Sequence, residues 1–435
     1  MYGSVLIADR GALASRVIRT ARRLGIRTFA VHIGADRGRP FVSEAHHAEQ
    51  LKGEKPSAYS EIAQILEIAR RHDVDAVHPG GSALAGDPDA AAAVIAAGHI
   101  WIGPSPGTLA CTRDKVRLSQ LVRDVGVPTP ESVGPVSTVE DAAAGAEQIG
   151  YPVILKAVAG RNGVGIAVSE KPADLVRAYE RVRAHLPAGD ERILVQRHYP
   201  RVRSIEVQVL GLADGAVVAL GERDCSVQRR FSPVFAESPA PGLRPVVREE
   251  ITAAGLWAAE AVGFRGVGTA EFLLTGDEFF LCELTPHLTG FHPVTEQVFG
   301  IDLVEAQLRV AAGHLPGFDL GGLAPLGHAI GMRVLAEDPR RFSPEPGPIA
   351  DWTAPRGDGV RVDAGYAPGS VISADDTTIG TISALGADRA SAIVRARAAI
   401  GGFRLTGPRH TGPFFARLLE NERFVLGRYD TTLLA

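Results

Sequence analysis

The chain has 435 residues with 50 acidic against 46 basic side chains, a net charge of −4, so no basic footprint argues for nucleic acid as a partner. Apolar residues make up 45% and charged residues 22%, an ordinary globular balance; no run of 18 apolar residues reads as a membrane span, and the length implies about two to four packed units. Cys111, Cys225 and Cys282 are far apart and form no CxxC pair, which fits a reducing, cytoplasmic setting with neither a disulfide framework nor a zinc site.

The first residues, MYGSVLIADRG, lack a charged leader followed by a long apolar core, so no signal peptide is expected there. Residues 4–8 (SVLIA) form a short apolar run. After Asp9-Arg10-Gly11, residues Ala12, Val17, Ile18, Ala21 and Leu24 recur at helical spacing. Gly25 ends that helix and 28–32 (TFAVH) reads as a second strand. This is a βαβ unit on a parallel sheet. A helix over 60–72, a strand over 74–78 before Pro79-Gly80-Gly81, a helix over 87–97 and a strand over 99–103 extend it into a doubly wound α/β domain. The DRGA turn is not GxGxxG, so it reads as structural rather than as a dinucleotide site.

Gly103-Pro104-Ser105-Pro106 breaks the chain, Asp114-Lys115 opens a helix to about 125, and GVPTP at 126–130 breaks it again as a linker. A helix over 138–149 leads into the strand 152–157 (PVILKA). Lys156, near the end of that buried run, is costly unless it meets an anion. AGRNGVG at 159–165, with Asn162 and Gly163 at its centre, then joins the strand 166–169. Such a Gly-rich hairpin can cover phosphates with its backbone N–H groups, although no GK[ST] makes it a Walker A loop. The strand 193–196 (ILVQ) runs through Gln196 into Arg197, His198 and Tyr199, a hinge whose backbone could read an adenine edge. Alternating strands at 204–210 and 216–220 open a third unit. Arg223, Arg229 and Arg230 either bind an anion or form a salt-bridged turn with Glu222 and Asp224, and the turn is favoured.

Residues 268–296 carry two apolar runs around a polar turn at 275–278, the pattern of a β-hairpin. Glu271 and Glu283 are the lone acids of the two runs, and their midpoint falls at position 277, inside the turn. They are therefore expected to face each other across the ladder, side chains about 5 Å apart. Facing carboxylates repel unless a cation sits between them. Hard oxygen ligands suit Mg²⁺, which completes its shell with substrate phosphates; the alternative is two unrelated acids on an exposed strand face. A helix over 389–400 and a further helix in FFARLLENERF close the chain.

Taken together, DK at 114–115, IGYPVILKA, the Gly-rich loop, EVQVL, GERDCSVQRR, SPAPG, GTAEFLL, HPVTE and LRVAAG resemble the biotin carboxylase family in order and spacing. The resemblance runs from IADRGALASRVIRTARRLGI to about Gly386. It implies an α/β, ATP-grasp fold of biotin carboxylase-like three-domain architecture. The N-terminal α/β (preATP-grasp) domain would span 1–113, a linker 114–130 and the lid domain 131–203. The ATP-grasp C-terminal part and the biotin carboxylase C-terminal domain would span 204–435. By the same resemblance, Lys115 and Lys156 meet the phosphates of ATP, and Asn162 and Gly163 fall in the lid loop. Gln196, Arg197, His198 and Tyr199 form the adenine hinge, where the family usually has Glu-Lys. Glu271 and Glu283 hold Mg²⁺, or Mn²⁺ in its place. Arg333, in GMRVLAEDP, matches the arginine that stabilises the biotin enolate. A homodimer is implied, with carboxylase subunits or a biotin carrier protein as partners.

The departures fall mostly on one half of that site. The family stretch EMNTRIQVEHPVTE reads ELTPHLTGFHPVTE at 283–296. The metal-ligating Asn becomes Thr285, the bicarbonate-binding Arg becomes His287, and the general base Glu becomes Phe291, which cannot take a proton. RRHQKVVEE reads RRFSPVFAE at 229–237, so a phosphate-contacting His becomes Phe231 and a Lys near bicarbonate becomes Pro233. HPGYGFLSE reads HPGGSALAG at 78–86, and YDSMIGKL reads ADDTTIGTI at 374–382 after a short deletion. Removing a general base costs about 10²–10⁴ in rate, so ordinary biotin carboxylation is not expected. The only methionines are Met1 and Met332; with no Met-Lys-Met carrier motif, no covalently attached biotin is expected.

Two functions remain open. The first is a diverged ATP-dependent carboxylase or ligase that activates a small carboxylate, bicarbonate included, as an acyl phosphate, with His287 and His292 as acid/base candidates. The second is a non-catalytic paralogue, a pseudoenzyme serving as a structural or regulatory subunit of an acyl-CoA carboxylase-type complex.

Overall fold

The computed structural model describes residues 1–160, 164–186 and 189–434. Five parallel strands, β1 Ser4–Ile7, β2 Arg27–His32, β3 His47–Gln50, β4 Ala76–His78 and β5 Ile100–Trp101, form the first sheet in the order β3-β2-β1-β4-β5. Helices α1 Gly11–Arg23, α2 Pro40–Glu44, α3 Ile62–Arg71 and α4 Pro88–Ala96 connect them. The chain leaves β1 toward β2 on one side and later returns to place β4 on the other. The crevice beyond the carboxyl ends of β1 and β4 is thus a topological switch point, where open α/β sheets place ligands. The expected doubly wound domain is present. It also contains β3, which the apolar pattern missed, because HAEQ is a polar edge strand with no buried face to announce it.

After α5 Pro106–Arg113, Asp114 caps α6 Lys115–Asp124 by accepting from the N–H groups of Val116 and Arg117. The second sheet is antiparallel in its paired strands and ordered β6-β9-β7-β8, from β6 Ser132–Val136, β7 Val153–Ala157, β8 Ile166–Ser169 and β9 Ile193–Arg197. Helices α7 Val139–Ile149, capped by Thr138, and α8 Leu175–Arg183 give it a core of its own, with Ala146, Leu155, Val182 and Val195 buried.

The largest sheet has eight strands: β10 Arg203–Gly211, β11 Val217–Asp224, β12 Phe235–Ser238, β13 Gly266–Thr275, β14 Glu278–Thr285, β15 His328–Leu335, β16 Val360–Ala364 and β17 Thr378–Gly386. Their order is β14-β13-β10-β11-β12-β15-β17-β16. Helix α9 Pro245–Ala261 covers one end together with Leu118 and Val122 of α6. Helices α10 His292–Phe299, α11 Leu303–Ala311 and α12 Arg389–Gly402 cover the rest. The tail segment FFARLLENERF is two short helices, Gly412–Leu418 and Glu422–Val425, because the Asn421 side chain caps the second and so ends the first. Among the described residues no helix is long and apolar enough to cross a membrane, and the three cysteines are free thiols.

Candidate functional site

A cleft of about 940 Å³ opens at the switch point of the first sheet and is floored by the largest sheet. The floor is built from acids. Glu271 of β13 faces Glu283 of β14 in direct register, with Gly276-Asp277 as the two-residue turn between the strands. On its other side Glu271 faces Glu206 of β10. Directly opposed residues share a face, so three carboxylates stand in a row across three strands. The sequence pattern marks Glu271 and Glu283 and misses Glu206, which lies 65 positions before Glu271 in the chain.

The charges are handled unequally. Glu206 is neutralised by Arg223 at 2.7 Å, and Arg223 has no exposed surface. Arg223 also donates to Gln208, Thr269, Thr289 and Thr295. It therefore has the structural role expected of it, but with different partners. Neighbouring strand residues point to opposite faces, so Glu222 pairs with Arg248 at 2.7 Å and Asp224 with Arg203 at 2.8 Å instead. Arg229 lies over the Phe342 ring at 4.6 Å, away from any such turn. No arginine reaches the other two acids among the described residues. Burial, then the neighbouring Glu283 and Glu206, push the Glu271 carboxyl up to about 8. Thr285, at the position of the family's Asn, donates its hydroxyl to Glu271 at 2.6 Å.

Lys115, Gly160, Glu283, Thr285 and His287 line one small cavity of about 50 Å³, so the first lysine shares a cavity with Glu283 of the acid pair. Its ammonium donates to the Gly160 carbonyl. Lys156 of β7 donates to the Gln196 side chain of β9 at 2.7 Å. Asn162 and Gly163 lie outside the described residues. At the hinge, the Arg197 side chain turns to Glu131 at 2.7 Å, and Tyr199 stacks on Phe280 at 5.1 Å. The N–H groups of Arg197 and His198 are engaged by the carbonyls of Glu131 and Pro152, so a base edge would have to be read by other groups of this hinge. Burial lowers the His198 pKa.

The opposite wall differs in character. Phe231 and Arg230 both have positive φ, 63° and 51°, in the tight turn between Gln228–Arg229 and Ser232–Pro233, a turn form that usually selects Gly or Asn. Phe231 remains 49% exposed and lines the cleft. Phe291 is buried, with the Arg333 guanidinium 5.0 Å above its ring. Among the described residues no carboxylate lies within ion-pair distance of Arg333, and burial lowers its pKa. The carboxylate acting on it from further off, Glu206, is already paired with Arg223, and a desolvated cation with no contacting counter-ion is a seat for an anion. His287 Nδ1 lies 3.0 Å from the Leu288 carbonyl, and His292 Nδ1 lies 2.8 Å from that of Thr289. Each contact assigns the proton to Nδ1. In His292 this leaves Nε2 as a lone pair, with no hydrogen-bond partner among the described residues and Glu296 4.0 Å away. Burial lowers the His292 pKa, so it stays neutral.

The DRGA turn, read as structural from sequence, forms another wall of the cleft. Its Asp9 accepts from the Gly81 N–H at 2.9 Å, and burial pushes its carboxyl up to about 6. The approach is close: a Cβ on Gly80, whose φ is +73°, would stand 2.0 Å from the Asp9 carboxylate. Replacing Gly80 by alanine is expected to cost at least about 2 kcal/mol in urea denaturation, strain and overlap together. Gly98→Ala, at φ +86° with nothing within 4 Å of its Cβ, should cost only the backbone part, about 1 kcal/mol. Equal losses would remove the argument for close packing at Asp9.

Comparison with known proteins places this geometry. The family description "Biotin carboxylase, N-terminal domain" matches residues 1–109, and "Carbamoyl-phosphate synthase L chain, ATP binding domain" matches 114–316. "Biotin carboxylase C-terminal domain" matches 331–435. The chain is 36% identical to biotin carboxylase 1 of Bacillus subtilis, over 100% of this chain and 98% of that one. It is also 36% identical to the biotin carboxylase of Pseudomonas aeruginosa, over 98% and 96% of the two chains. Among solved structures, it superposes with TM-score 0.96 at 32% identity on a biotin carboxylase–β,γ-ATP complex from Campylobacter jejuni, covering 100% and 98% of the chains. The biotin carboxylase domain dimer of Hydrogenobacter thermophilus 2-oxoglutarate carboxylase, in complex with MgADP, ADP and bicarbonate, gives TM-score 0.97 at 32% identity, with 100% and 97% covered.

Proposed function

The chain belongs to the biotin carboxylase family of ATP-grasp carboxylases, and from that premise we propose that it is an ATP-dependent carboxylase or ligase whose acceptor side has diverged. The observation that carries the reading is the Glu271–Glu283 pair. Two facing carboxylates with Thr285 beside them and, among the described residues, no arginine to neutralise them fit a hard divalent cation, Mg²⁺ or Mn²⁺. Bound there, the ion supplies charge neutralisation to phosphate oxygens. Lys115 and Lys156 add cationic groups on the same side, Asn162 and Gly163 of the Gly-rich stretch are further candidates for the phosphates, and Gln196, Arg197, His198 and Tyr199 are those for the base. The domain boundaries at 113, 130 and 203 go with this reading.

The acceptor is a small carboxylate, with bicarbonate as its simplest case. Arg333, unpaired among the described residues, is the group to hold an anion. His292, neutral and with its Nε2 lone pair uncommitted, is suited to accept a proton, and His287 is the second acid/base candidate. Phe231, Phe291 and Pro233 make this half drier than a site built from His, Glu and Lys. The product of phosphoryl transfer to the acceptor is an acyl phosphate, with ADP released. A homodimer, a separate biotin carrier protein or carboxylase subunits as partners, and a cytoplasmic setting accompany the proposal. A specific observation also favours a second reading, a non-catalytic member of a carboxylase complex: the position of the family's general base is held by a buried phenylalanine, Phe291.

The test is a thermal-shift titration with Mg·ATP. Binding at a hundredfold excess over the dissociation constant stabilises the fold by about 2.7 kcal/mol, and Glu283→Gln is expected to abolish that shift. ATP hydrolysis is then measured with and without bicarbonate and a panel of small carboxylates. The absence of any shift at millimolar Mg·ATP would overturn the enzyme reading and leave the non-catalytic one.

A further inference from the structure

Cysteine spacing gives no zinc signal, but the first sheet assembles a different ligand set. His47 and Glu49 lie two apart on the edge strand β3 and so project from one face. His72 caps the C-terminus of α3 and comes down onto that face. The His72 Nε2 stands 2.8 Å from Glu49 Oε2, and the His47 and His72 rings are 4.5 Å apart between centroids. One imidazole nitrogen from each histidine and one Glu49 oxygen lie within 4.8 Å of one another. Phe29, opposite His47 in the ladder, packs against both rings at 5.8 and 5.4 Å and forms an apolar floor. Arg71 holds the other Glu49 oxygen and also pairs with Glu67, which fixes the orientation of the carboxylate.

We propose that His47, Glu49 and His72 form a binding site for one divalent transition-metal ion, Zn²⁺ by preference. Two imidazoles and one carboxylate are a borderline donor set that suits Zn²⁺ and does not suit Mg²⁺. Three protein ligands leave a fourth tetrahedral position for water. Donors about 2.0–2.2 Å from one tetrahedral ion stand about 3.4 Å apart, so the site closes mainly by rotation of the exposed His47 side chain. The ion takes the place of the hydrogen bond between His72 Nε2 and Glu49 Oε2, and the one proton of the neutral His72 ring moves from Nε2 to Nδ1. Arg71 keeps its hydrogen bond to the outer oxygen, as partners of metal-bound carboxylates do. The three ligands come from an edge strand and a helix end, so the ion ties α3 to the rim of the sheet. Among the described residues these three lie outside the walls of the cleft.

The experiment uses the full chain stripped with EDTA and titrated with Zn²⁺ by calorimetry, and with Co²⁺ by visible absorption. One equivalent of Zn²⁺ per chain and the intense visible bands of four-coordinate Co²⁺ are expected. His47→Ala, on an exposed side chain, and His72→Gln should each weaken binding by at least about tenfold, the scale that even outer-shell changes produce. A Glu271→Gln/Glu283→Gln variant separates this site from the cleft and should retain the equivalent. No stoichiometric Zn²⁺ on the unsubstituted protein, binding unchanged in His47→Ala, or loss of binding in the cleft variant would each overturn the proposal.

Discussion

Arg223→Met is expected to lower the stability of this protein by about 3–5 kcal/mol, the scale for removing one partner of a buried ion pair. Arg223 has no exposed surface, and its partner Glu206 is only 4% exposed. Without the guanidinium, the Glu206 carboxylate is left buried and unpaired beside Glu271, so desolvation and like-charge repulsion act together. The loss extends beyond one pair. The same guanidinium ties Thr269 and Gln208, on two central strands, to Thr289, in the loop that carries His287, and to Thr295, in the helix α10 that begins at His292. Both the sheet and the acceptor wall therefore loosen. The double variant Arg223→Met/Glu206→Leu removes both charges and should recover more than half of the loss, because replacing a whole buried pair by apolar side chains is often close to neutral. Equilibrium urea unfolding of the two variants measures this. A single-variant loss under about 1 kcal/mol, or a double variant as unstable as the single, would mean that Arg223 does not neutralise Glu206 in the way its 2.7 Å contact implies.

What can be read from the sequence depends on how local the determining contact is. The Glu271–Glu283 pairing follows from a two-residue turn and the period of two along each strand, and the register is the expected one, although a bulge lets Phe272 pair with Leu281 beyond it. Glu206 joins the same row through pairing between β10 and β13, strands that no turn connects, so nothing local fixes that register. The apolar alternation that suggests a strand ending at 220 places Arg223 in a turn with its sequence neighbours; the strand instead continues to Asp224 and sends those neighbours to the other face. The loop of Asp9 lacks the GxGxxG pattern and so gives no hint of a site. Its place in the cleft comes from the order β3-β2-β1-β4-β5, which depends on where the fourth strand docks. His47, Glu49 and His72 are silent for a related reason: a polar edge strand has no periodic signal, and the third ligand arrives 23 residues after Glu49 from a helix end. The fold itself is readable because long apolar helices and strands carry their own periodicity and the motifs recur in order.

The acid row also fixes how stability should respond to pH. The Glu271 carboxyl is raised from the ordinary glutamate value, so between about 4.5 and about 8 the folded protein holds a proton that the unfolded chain has released. Stability contributed by that proton is present below the unfolded value and is lost as the pH rises through the window. The slope for one proton is at most about 1.4 kcal/mol per pH unit. Glu271→Gln cannot release a proton, so the difference in unfolding free energy between the variant and the unsubstituted protein should grow in the variant's favour from pH 5 to pH 8 in the absence of nucleotide and metal. Groups remote from the acid row, such as Asp9, raised to about 6, titrate in both proteins and cancel in that difference; what remains reports Glu271 together with the neighbouring carboxylates it interacts with. A divalent cation between Glu271 and Glu283 competes with the same proton. Mg·ATP should therefore bind more tightly as the pH rises through this window, and saturating Mg·ATP should flatten the pH dependence of the unsubstituted protein while leaving Glu271→Gln unaffected. The variant is then the more stable protein without ligand and the less stable one with it, a crossing that a merely structural pair of acids would not produce. If the two proteins keep a constant difference from pH 5 to pH 8, Glu271 carries no raised titration. If the crossing fails while the slope is present, the acids repel each other but do not hold the cation.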